Sequence, residues 1–174
     1  MPGRLFLIVG PSGVGKDSII DELKIRLGSR VHFPRREITR PADPSEDFIS
    51  ITAEAFKAEN YAIAWQAHGL SYGIRREDFL PLARGYDVIL NASRALVSKF
   101  EDLFDPVFVV QVTANPDSIA TRLANRGRES RQEIKQRLNR APRLTIQRAK
   151  LFQLDNSGPL SAAVESFLAI MNDD

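Results

Sequence analysis

The chain has 174 residues, a formal net charge of +2 and no cysteine. Without cysteine the protein has no disulfide bonds, no thiolate zinc site and no thiol nucleophile, and its length is enough to bury a core in one domain, which we predict to span residues 1–174. The longest apolar runs are strand-sized and no signal-peptide pattern opens the chain, so we expect a cytoplasmic protein without a membrane partner.

A glycine-rich stretch near the N-terminus is the most informative motif of the sequence. The apolar run at 4–9 predicts a buried strand, and apolar residues at helical spacing follow the motif as far as Leu27. A strand, a loop of the pattern Gly-x-x-x-x-Gly-Lys and a helix in series are typical of the phosphate-binding loop of nucleoside triphosphate enzymes. The backbone N–H groups of such a loop and the positive end of the helix attract phosphate oxygens. The predicted triphosphate-binding residues are Gly10, Pro11, Ser12, Gly13, Val14, Gly15, Lys16, Asp17 and Ser18.

Asp17 departs from this loop pattern, in which a serine or threonine that binds magnesium ordinarily follows the lysine. Ser18 comes one position later. Asp17 and Ser18 are therefore the candidate metal ligands, and a carboxylate can bind Mg²⁺ directly or through water. The alternative is that Asp17 is only a residue that the helix dipole favours at a helix start. The loop by itself leaves both interpretations open.

The segment between the first helix and residue 85 predicts short strands and turns. Pro41 disfavours helical conformation at the residue before it, so Arg40 ends an extended stretch. Two β-prone runs flank His68-Gly69, which indicates a hairpin, and Gly85 ends a helical pattern. The elements predicted here are a strand at 31–33, a helix that Thr52 caps and that reaches about Asn60, strands at 63–67 and 70–74, and a helix at 76–84.

The second half of the chain alternates strands with helices. A strand at 86–90 ends before Asn91-Ala92-Ser93-Arg94, and ligands bind at this end of the strands in open α/β sheets. The other predicted elements are a strand at 107–113, helices from Pro116 to about Asn125 and from Ser130 to Pro142, a strand at 152–154 and a helix at 160–171. This alternation indicates an α/β fold with a mainly parallel sheet.

Basic residues cluster between residues 120 and 150, where arginine outnumbers lysine. Such a block can bind nucleic acid or polyphosphate, or it can simply be solvated. The preference for arginine suits bidentate binding of phosphate. No aromatic residue is interleaved for base stacking, so we expect no nucleic-acid partner.

Five motifs, in this order, resemble the guanylate kinase-like branch of the P-loop kinases. They are the glycine-rich loop, Ile38-Thr39-Arg40-Pro41, His68-Gly69 with Tyr72-Gly73, Asn91-Ala92-Ser93-Arg94-Ala95, and Arg126-Gly127-Arg128-Glu129-Ser130 with Arg137-Leu138. The resemblance implies a P-loop kinase fold with a mainly parallel five-stranded sheet flanked by helices, a small substrate-binding insertion at about 35–80 and a lid at about 126–140. It also implies ATP and Mg²⁺ as cofactors. The predicted catalytic residues are Lys16 and Asp17 of the loop and Arg126, Arg128 and Arg137 of the lid.

The guanine-binding residues of guanylate kinases are missing from this chain. That family has a second arginine shortly after Thr-Arg, a tyrosine further along, and a carboxylate before the His-Gly turn. The corresponding positions here hold Ala42 to Pro44, Phe48 or Ile49, and Ile63 or Ala64. A site that is built to hydrogen-bond guanine loses heavily without its acceptors, so GMP is a poor candidate substrate.

The bacterial ribose 1,5-bisphosphate phosphokinases of phosphonate catabolism resemble this chain more closely, in Gly-Lys-Asp-Ser, Ile-Thr-Arg-Pro, Ala-His-Gly-Leu-x-Tyr-Gly-Ile and Asn-x-Ser-Arg-Ala. The resemblance implies ATP-dependent phosphorylation of a small sugar phosphate, ribose 1,5-bisphosphate, to 5-phosphoribosyl 1-diphosphate. The acceptor is an anionic phosphate oxygen that needs no general base, so we expect structural roles for His32 and His68. The predicted substrate-binding residues are Arg36, Arg40, Tyr72, Asn91, Ser93 and Arg94.

Asn91 stands where guanylate kinases have an aspartate at the strand end. That aspartate ordinarily helps to hold magnesium and an amide cannot supply its charge, so we hypothesise that Asp17 restores it. Two other functions stay open. One is a nucleoside monophosphate kinase of another base specificity, and the other is a non-catalytic guanylate kinase-like interaction module, against which the intact Gly-x-x-x-x-Gly-Lys argues. We expect a monomer or a homodimer.

Overall fold

The computed structural model describes residues 2–44, 46–125 and 143–173. Its strands in chain order are β1 (Leu5–Val9), β2 (Val31–His32), β3 (Glu37–Ile38), β4 (Ile49–Ser50), β5 (Tyr61–Ala67), β6 (Leu70–Arg75), β7 (Asp87–Asn91), β8 (Val107–Thr113) and β9 (Lys150–Asp155). The α-helices within the same residues are α1 (Lys16–Leu27), α2 (Leu80–Ala83), α3 (Val97–Leu103), α4 (Pro116–Asn125) and α5 (Leu160–Met171).

A five-stranded parallel sheet forms the centre of the molecule. Its strand order is β2-β7-β1-β8-β9, and every neighbouring pair is parallel. The central strand β1 is an unbroken apolar run whose residues are all fully buried, as expected for a strand that is covered on both faces. The structure confirms the predicted α/β fold with a mainly parallel five-stranded sheet.

Helices cover both faces of this sheet because the side chains of β1 alternate between them. Phe6 and Ile8 pack with residues of α1, α4 and α5, while Leu5, Leu7 and Val9 pack with residues of α3. Since the strands are parallel, the loops that follow β1, β7, β8 and β9 all leave from the same edge of the sheet. Among the described residues, no helix is long and apolar enough to cross a membrane.

A second, four-stranded sheet lies within residues 37–75 and has the order β4-β3-β6-β5. Strands β5 and β6 form an antiparallel hairpin, and both turn residues, His68 and Gly69, have positive φ. This is the hairpin that the sequence predicts. Ile63 of β5 and Ile74 of β6 reach into the same apolar cluster as α3, which attaches the second sheet to one face of the central one.

The predicted helix from Thr52 to about Asn60 is wrong. Thr52 Oγ1 does accept a hydrogen bond from the backbone N–H of Ala55 at 3.2 Å, as a capping residue would, but only a turn and a short 3₁₀-helix at Ala58–Asn60 follow. The segment has a single large apolar side chain, Phe56, which stacks on Tyr61 at 4.6 Å. Without an apolar face to bury, a short helix gains too little from packing to form.

The region 76–84 is helical in two pieces rather than one. A 3₁₀-helix at Arg76–Phe79 precedes α2, and Pro81 lies in the first turn of α2, where its missing N–H costs no hydrogen bond. Helix α3 is an element that the sequence analysis missed. The predictions for the helix from Ser130, for Pro142 and for the lid at about 126–140 lie outside the described residues.

Candidate active site

The glycine-rich loop connects β1 to α1 at the carboxyl edge of the central sheet. Gly10, Gly13 and Gly15 all have positive φ. Gly15 is the N-cap of α1 with φ 98°, and a Cβ atom at this position would collide with the side-chain amide of Asn156. Because only glycine meets both conditions without strain, the second glycine of Gly-x-x-x-x-Gly-Lys is fixed by the backbone turn and by its neighbour.

Lys16 reaches across this loop. Its Nζ donates hydrogen bonds to the carbonyl oxygens of Gly10 at 2.9 Å and Pro11 at 3.0 Å. The ammonium group is thereby held over the loop, next to the start of α1. A cation in this position, together with the first N–H groups of the helix, makes the loop a favourable place for a polyphosphate.

The side chains of Asn156 and Arg122 hydrogen-bond to the backbone of the loop, and the sequence did not predict these contacts. The carbonyl oxygen of Val14 accepts hydrogen bonds from Asn156 Nδ2 at 2.8 Å and from Arg122 Nη1 at 3.2 Å. Arg122 Nη2 also donates to the carbonyl of Asn156 at 2.8 Å. The position of Asn156 directly after β9, at the ligand-binding edge of the sheet, could have indicated a role at the loop. Its partner Val14 is 142 positions away in the chain, so no local pattern predicts the contact.

A polar cleft of about 710 Å³ opens in front of the loop. It brings together residues from the start of α1, from the end of β7 and from the inserted sheet region. A smaller recess of about 100 Å³ adjoins it and shares Asp17, Asp21, Arg36, Glu46 and Asn91 with it. The residues that line the larger cleft are Gly10, Ser12, Lys16, Asp17, Ser18, Asp21, Arg36, Glu46, His68, Asn91, Ala92 and Ser93.

Asp17 and Asn91 touch each other at the edge of this cleft. Asn91 Nδ2 donates a hydrogen bond to Asp17 Oδ1 at 2.8 Å. Within the parts of the chain that the structure describes, no group of three or more His, Cys, Asp or Glu side chains forms a metal-binding cluster. Mg²⁺ does not need one, because it is commonly held by one or two carboxylates and by the phosphates of a bound nucleotide. The exposed carboxylate beside the loop therefore fits a magnesium–triphosphate complex.

The two predicted substrate-binding arginines Arg36 and Arg40 are placed differently with respect to the cleft. Arg36 lines both the cleft and the recess. Arg40 lies outside their lining and is held by Glu46, with Nη2 at 2.5 Å from Oε2, and its guanidinium stacks over the ring of Phe48 at 4.5 Å. The Nε atom of Arg40 is buried and has no hydrogen-bond partner among the described residues, so this side chain retains a donor that is not satisfied within its surroundings.

The remaining predicted site residues are placed as follows. Ser93 lines the cleft and caps the 3₁₀-helix Arg94–Leu96 by accepting from the N–H of Ala95 at 3.4 Å. Tyr72 stacks on Trp65 at 5.2 Å between ring centroids and, like Arg94, is not part of the cleft lining. The predicted lid residues Arg126, Arg128 and Arg137 lie outside the described residues.

The two histidines occupy different surroundings. His32 Nε2 lies 3.0 Å from Asp78 Oδ1, an acidic partner that is distant in sequence. His68 takes the left-handed turn position of the β5–β6 hairpin with φ 52° and lines the cleft. A structural role for His32 in tying β2 to the segment before α2 agrees with this contact.

A buried carboxylate organises the inserted sheet. Glu37 accepts hydrogen bonds from Tyr61 Oη at 2.6 Å and from the guanidinium of Arg75. The Tyr61 ring crosses Gly73, where a Cβ atom would overlap it, so the glycine of the Tyr-Gly motif is needed for packing. Burial raises the pKa of Glu37, but the hydrogen bonds from Arg75 and Tyr61 and the charge of Arg75 outweigh it, and the pKa lies below its ordinary value. Burial and the neighbouring carboxylate raise the pKa of Tyr61 to about 12.

We expect Tyr61→Phe to lower the free energy of unfolding by about 1.5–3 kcal/mol, because it removes a hydrogen bond to a buried charged acceptor. Urea unfolding followed by circular dichroism measures this. The matched control is Tyr86→Phe, since the Tyr86 side chain is 49% exposed, and it should change the unfolding free energy by less than about 0.5 kcal/mol. Equal effects of the two substitutions would contradict the prediction.

The chain is similar to proteins that are named ribose 1,5-bisphosphate phosphokinase. No protein-family model matches the chain. The ribose 1,5-bisphosphate phosphokinase PhnN of Acidiphilium cryptum is 49% identical over 141 residues, which cover 80% of this chain and 77% of that protein. The ribose 1,5-bisphosphate phosphokinase PhnN of Pseudomonas fluorescens is 41% identical over 183 aligned positions, which cover 99% of this chain and 96% of that protein.

Solved structures add evidence on the fold. The crystal structure of guanylate kinase from Anaplasma phagocytophilum superposes with a TM-score of 0.68 and covers 98% of this chain and 85% of that one. Its sequence identity is 14%, so the likeness concerns architecture alone. It confirms the P-loop kinase fold of the guanylate kinase type that the motifs predict.

Proposed function

This chain belongs to the ribose 1,5-bisphosphate phosphokinase family, and we propose that it transfers the terminal phosphoryl group of ATP to the 1-phosphate of ribose 1,5-bisphosphate. The product is 5-phospho-α-D-ribose 1-diphosphate. The observation that carries this proposal is the polar cleft, which joins the loop, the end of β7 and Arg36. A sugar that carries two phosphates and no base is recognised by such cationic and hydrogen-bonding groups.

The loop residues Gly10 to Ser18 would hold the triphosphate. Lys16 Nζ, which now donates to two loop carbonyls, can donate to phosphate oxygens in their place. Asp17 and Ser18 would hold Mg²⁺, which supplies positive charge against the negative charge of the transferring group when it is bound. Asn156 and Arg122 keep the backbone of the loop in place through the carbonyl of Val14.

The acceptor side follows from the chemistry of the transfer. The reaction breaks the bond between the terminal phosphorus of ATP and its bridging oxygen, forms a bond from this phosphorus to an oxygen of the 1-phosphate, and releases ADP. The attacking oxygen is already anionic, so the protein supplies position and positive charge rather than a base. The residues proposed for these contacts are Arg36, Arg40, Tyr72, Asn91, Ser93 and Arg94, with Arg126, Arg128 and Arg137 closing from the lid at about 126–140.

A panel assay of ADP release tests the substrate directly. We expect kcat/KM for ribose 1,5-bisphosphate to exceed that for GMP by at least about 10²-fold, because the site lacks the acceptors that guanine needs. The product is identified by mass spectrometry and by its use as a 5-phosphoribosyl donor. Faster phosphorylation of GMP or of another nucleoside monophosphate would contradict the proposal, and ADP release with none of the panel would favour a non-catalytic module.

Several expectations about the setting belong to the same proposal. ATP and sugar bisphosphates carry several charges and do not cross lipid bilayers, which supports a place in the cytoplasm, and the family supports a role in phosphonate catabolism. We propose one catalytic domain over residues 1–174, with the substrate-binding region at about 35–80, acting as a monomer or a homodimer without a nucleic-acid partner. Light scattering after gel filtration measures the oligomeric state.

A further inference from the structure

Asp17 departs from the usual phosphate-loop pattern, and Asn91 departs from the guanylate kinase pattern, each at a position that ordinarily helps to bind the metal. Position 17 has a carboxylate in place of a hydroxyl, and position 91 has an amide in place of a carboxylate. The structure brings these two departures into direct contact, with Asn91 Nδ2 at 2.8 Å from Asp17 Oδ1. They are 74 positions apart in the chain, so the contact is a property of the fold.

The chemistry of the two side chains fixes the direction of this hydrogen bond. An ionised carboxylate can only accept, so the amide nitrogen of Asn91 must face Asp17. The bond occupies Oδ1 and leaves Oδ2, which has no hydrogen-bond donor among the described residues. Asp17 lines the same cleft as Lys16, so the remaining oxygen belongs to the region where a metal–triphosphate would bind.

The supports of the two residues differ in rigidity. Asn91 ends β7, pairs with Ile8 of the central strand, and is followed by Ala92, whose N–H donates to the Ile8 carbonyl at 3.0 Å. Asp17 is an exposed side chain in the first turn of α1, where it would otherwise rotate freely. The hydrogen bond thus ties an exposed carboxylate to the hydrogen-bonded edge of the sheet.

We propose that Asn91 is a positioning residue for the metal site: it holds Asp17 by one carboxylate oxygen so that the other is oriented toward the cation. This inference rests on the proposed role of Asp17 in holding Mg²⁺. It replaces a direct contact of Asn91 with the sugar phosphate. An aspartate at position 91 would place two carboxylates within hydrogen-bonding distance, which like charges oppose. The pair therefore accommodates one carboxylate and one amide. We expect that these two groups can exchange positions between residues 17 and 91.

The test measures Mn²⁺ binding by electron paramagnetic resonance in the presence of a non-hydrolysable ATP analogue. Asp17→Asn should weaken Mn²⁺ affinity by at least about tenfold, and Asn91→Ala by about tenfold, since partners that orient metal ligands have effects of this size. In the double variant Asp17→Asn/Asn91→Asp, the amide and the carboxylate are exchanged. It should recover most of the affinity that Asp17→Asn loses, and its Mg²⁺ requirement for activity should move in parallel.

The matched control is Asp117→Asn, because Asp117 is an exposed carboxylate in the first turn of α4 and reports any general effect of acidic residues at helix starts. It should leave Mn²⁺ affinity unchanged. Mn²⁺ affinity of Asn91→Ala equal to that of the wild type, or an exchanged variant no better than Asp17→Asn, would overturn the inference. A raised KM for the sugar phosphate with unchanged metal affinity would assign Asn91 to the substrate instead.

The metal assay also separates this inference from the proposed function. It contains no acceptor, so its outcome does not depend on which sugar or nucleotide is phosphorylated. If the wild-type protein fails to bind Mn²⁺ with the nucleotide, the proposed kinase mechanism itself fails. If the wild type binds Mn²⁺, Asp17→Asn weakens the binding and Asn91→Ala binds as tightly as the wild type, the kinase proposal stands and the positioning role is refuted.

Discussion

Lys16→Ala is expected to lower kcat/KM of the ATP-dependent reaction by about 10³-fold. The Lys16 ammonium is held over the loop by the Gly10 and Pro11 carbonyls, and in the proposed mechanism it would neutralise the phosphate charge that the transfer moves. A charge that is already in place costs no reorganisation during the reaction, which is why single groups of this kind have large effects. The coupled ADP-release assay with ribose 1,5-bisphosphate measures the loss.

Lys99→Ala is the matched control, because Lys99 is an exposed lysine on α3, away from the cleft lining. It should retain wild-type activity. Thermal unfolding of both variants separates catalysis from folding. Gly10 and Pro11 are partly exposed, so water can replace Lys16 at their carbonyls and Tm should change little. An active Lys16→Ala protein would mean that the loop does not take part in the transfer.

The central sheet and the phosphate loop could be predicted because their signals are local. The strand at 107–113 and the helix at 160–171 have the predicted bounds, since an apolar run or a helical period determines which side chains are buried. The same holds for the turn at Gly15, where the pattern Gly-x-x-x-x-Gly-Lys reflects a positive φ. In these elements local preference and tertiary packing agree.

Contacts between distant residues could not be read from local patterns. The sequence motifs suggested that Asp17 compensates for Asn91, but only the fold reveals that the two side chains touch. The hydrogen bond from Asn156 to the Val14 carbonyl was missed for the same reason. The wrong helix prediction for residues 52–60 has a different cause. Thr52 is a local capping signal, but the segment has no apolar face whose burial would stabilise a helix.

The structure shows the surroundings of both residues of the Tyr-Gly motif. Tyr72 is a predicted substrate contact because of its place in a motif, and its ring stacks on Trp65 outside the cleft lining. Gly73 makes room for the Tyr61 ring. Neighbouring residues of one motif therefore have different surroundings, which only their contacts in the fold distinguish.

The buried carboxylate of Glu101 connects α3 to the segment that precedes β9. It lies on α3 with 2% of its surface exposed. Its Oε1 atom accepts hydrogen bonds from the backbone N–H groups of Gln147, Arg148 and Ala149 at 3.0, 2.8 and 2.7 Å. These three residues lead directly into β9, so the carboxylate fixes the start of an edge strand against α3.

Glu101→Ala is expected to lower the free energy of unfolding by about 3–4 kcal/mol, since it leaves three N–H groups without their acceptor in a buried place. Glu101→Gln keeps an acceptor oxygen and removes the charge, so it should cost only about 1–2 kcal/mol. Urea unfolding at pH 7 measures both values. Similar losses for the two variants would indicate that charge rather than satisfaction of the N–H groups matters at this position.

The pH dependence of stability tests the charge of Glu101 separately. Burial raises the pKa of this carboxyl, but the hydrogen bonds from the backbone of residues 147–149 and the Arg148 charge outweigh it, so the pKa in the folded protein lies below its ordinary value of 4.5. A lowered pKa means that the carboxylate stabilises the fold fully above pH 4.5 and that this contribution disappears as the pH falls through the folded-state pKa. The stability difference between wild type and Glu101→Gln should therefore be constant near neutral pH and shrink in acid. Glu37 and Asp47, whose pKa values are also lowered, remain in both proteins, so their contributions cancel, and a difference that does not change between pH 7 and pH 3 would contradict a charged Glu101 in the folded protein.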